Sequence, residues 1–306
     1  MIPRNTDHSS AHEPEWDSTH RHNPSKLSGL RIAVTGARGF IGSRLVTRLS
    51  AMGLTPEVLS GDVRAQETFA QPFDVLFHLA GSVPADFVNE APAARASNEE
   101  GTANAAEACQ RQDAALVYAS SSGVYALPSD EPLPETADIS PGSEYAESKL
   151  AGEYMCRMAA TGLSRGVTVL RLFNPYGFGQ SEKLLIGYIT ACLHSGKPAR
   201  IRTPDAQRDF VHVSDVIDAL ILGAEGGRGF RVYNIGSGRA AKVGQVADHL
   251  LARADGSNRI GYGDGIDLLG PVVADISLAR KELGWEPQVE LQTGLDEAVG
   301  LIPVIG

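Results

Sequence analysis

The chain has 306 residues, a formal net charge of −10, 42% hydrophobic and 21% charged residues, and three cysteines. This suits a globular chain of roughly two domains at about 150 residues each. The absence of a Lys/Arg-rich block argues against nucleic acid as a partner, and no apolar run is long enough to span a membrane. Cys109, Cys156 and Cys192 are odd in number and lack metal-ligand spacing, which fits a reducing cytoplasm and no disulfide framework.

Residues 1–28 differ from the rest. They hold four of the eight histidines (His8, His12, His20, His22) and almost no aliphatic residue. The apolar core of a signal peptide is missing. With irregular histidine spacing and no cysteine nearby, the stretch reads as a polar arm rather than a metal site.

The first patterned segment is IAVTGARGFIG (32–42). A β-branched run enters three glycines, Gly36, Gly39 and Gly42, and an amphipathic helix pattern follows in Leu45, Val46, Leu49 and Met52. Strand, glycine turn and helix N-terminus in that order form an anion-binding corner suited to a pyrophosphate. A second strand is predicted at 55–59 and a short helix at 65–70. DVLFHLAG (74–81) then reads as a strand buried on both faces. A helix over 92–112, a strand over 115–122 ending in hydroxyls, a Pro-rich loop, a helix over 144–160 and a strand over 167–173 complete a βαβα alternation. That order predicts a doubly wound parallel α/β sheet with ligands beyond the carboxyl ends of its strands. The C-terminal part reads as a smaller α/β lobe, with helices predicted over 184–195, 243–254 and 276–283 and short strands at 199–203 and 230–234. The expected division is an arm (1–28), a dinucleotide-binding domain (29–174) and a substrate lobe (175–306), with 208–236 returning to the sheet.

Tyr145-Ala146-Glu147-Ser148-Lys149 falls on a predicted helix. At i and i+4 the phenol and the ammonium share a face and can converge on one ligand. A nearby cation favours phenolate and is expected to lower the tyrosine pKa, as general acid/base catalysis requires. Ser121, at the edge of a buried strand, adds a hydroxyl able to hold a substrate oxygen.

TGARGFIG (35–42), DVLFHLAG, Asn98-x-x-Gly101-Thr102-x-Asn104, VYASSSGVY (117–125), YAESK, LRLFNPYG (170–177), RDFVHVSDV (208–216), YNIGSG (233–238) and LGWEP (283–287) occur together in this order. With them the chain resembles the extended short-chain dehydrogenase/reductase family of nucleotide-sugar epimerases, dehydratases and ketoreductases. The resemblance implies a Rossmann-type sheet and a nicotinamide cofactor. It also implies a soluble homodimer paired through two long helices per subunit, here about 92–112 and 144–160.

By the same resemblance Tyr145 is the acid/base, Lys149 binds the nicotinamide ribose, and Ser121 is the catalytic hydroxyl, with Ser122 next to it. Gly36, Gly39, Phe40 and Ile41 would lie on the pyrophosphate, and Leu79, Ala80, Gly81, Ala119 and Phe173 along the cofactor. Asp62 and Val63 would lie near adenine. Ser82, Ser122, Asn174 and Arg208 are expected at the substrate, Arg208 on its diphosphate through a bidentate guanidinium.

Three departures shape the reading. The slot for an acid on the ribose hydroxyls falls at Ser60, and Arg38 or Arg64 could meet a 2′-phosphate, which favours NADP(H) over NAD(H). SSSGVY lacks the Thr-Asp-Glu signature of sugar dehydratases. The segment 264–275 lacks a second arginine that many relatives place on the diphosphate. The expected activity is a 4-ketoreductase of a nucleotide-linked keto-deoxysugar, with a 4-epimerase carrying tightly bound NAD as the alternative. A catalytically silent nucleotide-binding member is the reading from another class.

Overall fold

The computed structural model describes residues 26–129, 131–253, 259–301 and 303–304. The four arm histidines lie outside the described residues. The arm does not reach 28 as expected: Leu27 is buried in the core, and Lys26 pairs with Glu225.

Among the described residues, six strands form one parallel sheet: β1 (Ile32–Thr35), β2 (Glu57–Leu59), β3 (Val75–His78), β4 (Ala115–Ser121), β5 (Gly166–Leu172) and a late strand, Gly229–Ile235. Four helices cover it: α1 (Phe40–Ala51), α2 (Phe87–Gln112), α3 (Glu144–Ala160) and Val213–Ala224. The remaining elements, in chain order, are β6 (Pro175–Tyr176), α4 (Leu185–Ser195), β7 (Ala199–Ile201), β8 (Gln207–Arg208) and β9 (Val211–His212). The covering helix Val213–Ala224 is α5 and the late sheet strand is β10; β11 (Ala241–Lys242), α6 (Val243–Ala252), β12 (Ile260–Tyr262), α7 (Ser277–Leu283) and α8 (Leu291–Ala298) follow.

The strand order is β10-β5-β4-β3-β1-β2. Alternate strand residues face opposite layers: Ile32, Val34, Val75 and Phe77 enter the core under α1 and α5, while Ala33 and Leu76 enter the one under α2 and α3. Both faces are therefore apolar, as a parallel sheet covered by helices requires. A third cluster joins Tyr176, Ile186, Ile189, Val246, Leu250 and Leu295 in the C-terminal lobe. Progression outward from β1 reverses between β1 and β3, and such a switch point opens a crevice at the carboxyl ends of the strands.

Candidate active site

β1 ends at Thr35, and the chain turns through Gly36 at φ 70°, where a Cβ would lie 2.5 Å from the Ala80 nitrogen. A Cβ on Gly42 would meet the Gly36 carbonyl oxygen at 2.2 Å, so α1 packs directly on the turn. Gly39 is the N-cap of α1; no side chain caps it, and the first turn carries no acid. The helix's positive end and its first N–H groups thus face the crevice.

Thr35 Oγ1 accepts the Leu79 and Ala80 amides (3.2 and 3.3 Å) and bonds His78 Nδ1 at 2.8 Å, tying the end of β1 to that of β3. With its lone pairs taken, the Thr35 hydroxyl donates to Nδ1, leaving the His78 Nε2–H for Thr102 at 3.2 Å. Burial, helped by the charge of Lys149, pushes the His78 pKa down to about 3, so the ring is neutral and structural.

Two hollows meet over Gly36. One, of about 270 Å³, is bounded by Arg38, Ser60, Asp62, Val63 and Ala80. The other, of about 350 Å³, is bounded by Gly39, Phe40, Ile41, Leu79, Gly81, Ala119, Ser121, Ser122, Tyr145 and Asn174. Together they form a groove with an uncapped helix N-terminus at its middle, and these donors fit the pyrophosphate of a dinucleotide. Arg38 is exposed at the first hollow and makes no ion pair among the described residues. Asp62 and Arg64 pair with each other at 2.6 Å, and Arg64's hydrogen bonds hold the Asp62 carboxyl down to about 2. Of the two arginines, Arg38 is the one open to an incoming anion.

The opposite wall is the start of α3. Ser143 caps it by accepting the Ala146 N–H at 3.2 Å, which sets Tyr145 in the first turn and Lys149 one turn on. Ser121, the last residue of β4, accepts the Gly123 N–H at 3.1 Å and shares a hydrogen bond with the Tyr145 phenol. Asn98 on α2 reaches Ser148 at 2.9 Å and the Ser82 amide at 2.7 Å, pinning α2, α3 and the loop after β3 together.

The pKa expectation for Tyr145 is corrected. Burial raises it, against a smaller lowering by the Ser121 hydrogen bond. The buried Lys149 Nζ lies 4.5 Å from the centre of the Tyr118 ring, so its charge is spent partly on that ring's face. Desolvation lowers Lys149 to about 8, with Cys156 and Glu153 acting in the opposite direction.

Asn174 lines the cleft with φ 36°, a left-handed backbone that Asn tolerates better than most residues, and its side chain donates to the Asp209 carbonyl at 2.9 Å. Phe173 is fully buried behind the wall against Tyr125, and Ser82 lies beside the cleft rather than along its lining. Arg208 also stands outside the lining; it is held by Asp267 in a fork of 2.8 and 2.9 Å and donates to the Gly270 carbonyl. Sequence reasoning missed Val83, Pro84, Tyr176, Gln180, Leu184, Leu185 and Phe210 on the lining. The apolar start of the helix predicted over 184–195 was the signal for Leu184 and Leu185, but its direction over the cleft depends on the lobe's own core.

The sequence pattern of the NAD dependent epimerase/dehydratase family matches residues 32–236. The chain belongs to this family. It is 27% identical to a UDP-glucose 4-epimerase of Mycolicibacterium smegmatis, over 88% of this chain and 97% of that protein. It is 30% identical to a dTDP-6-deoxy-L-talose 4-dehydrogenase (NAD(P)(+)) of Kitasatospora kifunensis, over 87% and 94% of the two chains. The fold superposes on MoeE5 in complex with UDP-glucose and NAD with a TM-score of 0.78, at 30% identity over 88% of this chain and 97% of that one. The superposed chain shares the Rossmann-type sheet described above.

Proposed function

We propose that this enzyme is an NADP(H)-preferring 4-ketoreductase of a nucleotide-linked keto-deoxysugar. The observation that carries the reading is Arg38 exposed beside Ser60 at the adenosine end of the groove, where an acid would repel a 2′-phosphate and a guanidinium attracts it. A cofactor bound there supplies the hydride. Tyr145 gives its proton to the sugar carbonyl oxygen, Ser121 holds that oxygen, and Lys149 serves the ribose hydroxyls. Arg208 reaches the substrate diphosphate when it exchanges the Asp267 carboxylate for phosphate oxygens. A 4-epimerase is the second reading, favoured by the Mycolicibacterium smegmatis relative and served by the same three side chains. We also infer a homodimer through α2 and α3, whose Val88, Tyr154 and Met158 are 60–79% exposed.

The deciding experiment mixes the purified protein with NADPH and a panel of 4-keto-sugar nucleotides. Stoichiometric oxidation of NADPH is expected. Copurified NAD that is not consumed while UDP-sugars interconvert would instead establish the epimerase.

A further inference from the structure

Lys149 and Glu153 stand at i and i+4 on the buried face of α3, the spacing at which helical ion pairs close. This pair stays open. Glu153 accepts Arg171 Nε at 3.0 Å and Nη2 at 2.7 Å from β5, and Ser120 Oγ–H at 2.5 Å from β4. Lys149, Glu153 and Arg171 are 8%, 5% and 6% exposed, so water cannot screen any of them. Arg171 is itself held: Nη1 donates to the Glu135 carbonyl at 3.2 Å, and its guanidinium lies 4.8 Å from the Tyr125 ring centre. Among the described residues, Lys149 joins no ion pair.

We propose that Arg171 is a positioning residue for the acid/base pair: it draws the Glu153 carboxylate across to β5, so that Lys149 keeps an unshared positive charge on the side facing Tyr145 and the cofactor groove. The inference rests on reading Tyr145 and Lys149 as that pair. The titratable groups acting on Lys149 are Glu153 and Cys156 on α3, Tyr118 on β4 and His78 on β3. Burial keeps the Tyr118 phenol and the Cys156 thiol protonated and His78 neutral. Glu153 is therefore the anion within reach of Lys149 among the described residues. Freed from Arg171, it swings one helical turn onto the ammonium. That occupies donors meant for ribose oxygens.

The test is a titration of Lys149 by NMR in full-length protein carrying isotope-labelled lysine, with the resonance assigned by its loss in Lys149→Met. In Arg171→Gln the Lys149 midpoint rises by about one pH unit, since an adjacent carboxylate favours the charged form, and NADPH affinity falls about tenfold. Adding Glu153→Gln to Arg171→Gln returns both values towards those of the parent. A purely structural arginine predicts the reverse: an unmoved midpoint, and a double variant no better than the single one. Either result overturns the proposal. Should Arg171→Gln fail to fold, Arg171→Met removes the charge while keeping an apolar stem of similar reach, and an unchanged midpoint there overturns it equally. The catalytic reading fails separately, if Tyr145→Phe keeps full turnover while the midpoints move as described.

Discussion

The cleft has two walls built on different principles. Ser121, Tyr145 and Lys149 come from β4 and α3, backed by buried Asn98, which bonds Ser82 and Ser148, and by buried Glu153 and Arg171, which pair with each other. The facing wall brings Tyr176, Gln180, Leu185 and Phe210 from a two-residue strand, loops and the start of α4. Its nearest charged tie is an exposed one: Lys183, in the loop before α4, meets Asp86 at 2.9 Å. Breaking a buried pair costs about 3–5 kcal/mol, whereas an exposed one contributes about 0–1 kcal/mol. Reaction geometry is thus held where rearrangement is expensive, and ligand shape is met where it is cheap.

Tyr145→Phe should show the largest effect, a loss of turnover of about 10²–10⁴ with cofactor affinity nearly unchanged. Comparable loss of affinity would mean that this wall binds rather than reacts. Lys149→Met comes next, with opposite signs for activity and stability. A buried ammonium lowered from 10.5 to about 8 opposes folding while charged, so the variant should gain about 1–3 kcal/mol near neutral pH, measured by urea unfolding. Between pH 8 and 10.5 the unfolded chain still holds that proton and the folded one does not. Parent stability therefore rises with pH there, and the variant's advantage must shrink. The smallest effect belongs to the other wall: Lys183→Ala should raise KM about two- to threefold and leave kcat alone. A tenfold fall in kcat would break the contrast.

Legibility follows the same line. Local signals sufficed for α3, whose span agrees with the expected 144–160 and whose start Ser143 caps. They sufficed for the glycine corner as well, since its geometry is a property of contiguous residues. They missed α5 and α8. In α5 eight of the twelve residues of VSDVIDALILGA are buried, because α5 packs against the sheet as well as α1 and α7, and what it packs against lies far away in sequence. The direction of the Tyr145 shift escaped too, since it depends on enclosure by chain segments distant in sequence. The Asp267 grip on Arg208 spans 59 positions, and nothing near Arg208 announces it.

The bond that Ser121 accepts from Gly123 bears on proton transfer. With one lone pair of the Ser121 oxygen taken by that N–H, the serine keeps one lone pair and one proton to share between the Tyr145 phenol and a ligand oxygen. The main-chain donor polarises the Ser121 hydroxyl and makes its proton the better one to donate. The main chain thus fixes where Ser121 stands and leaves the direction of proton transfer to the ligand: a ketone can accept from both hydroxyls, and an alcohol can place its own proton on either oxygen.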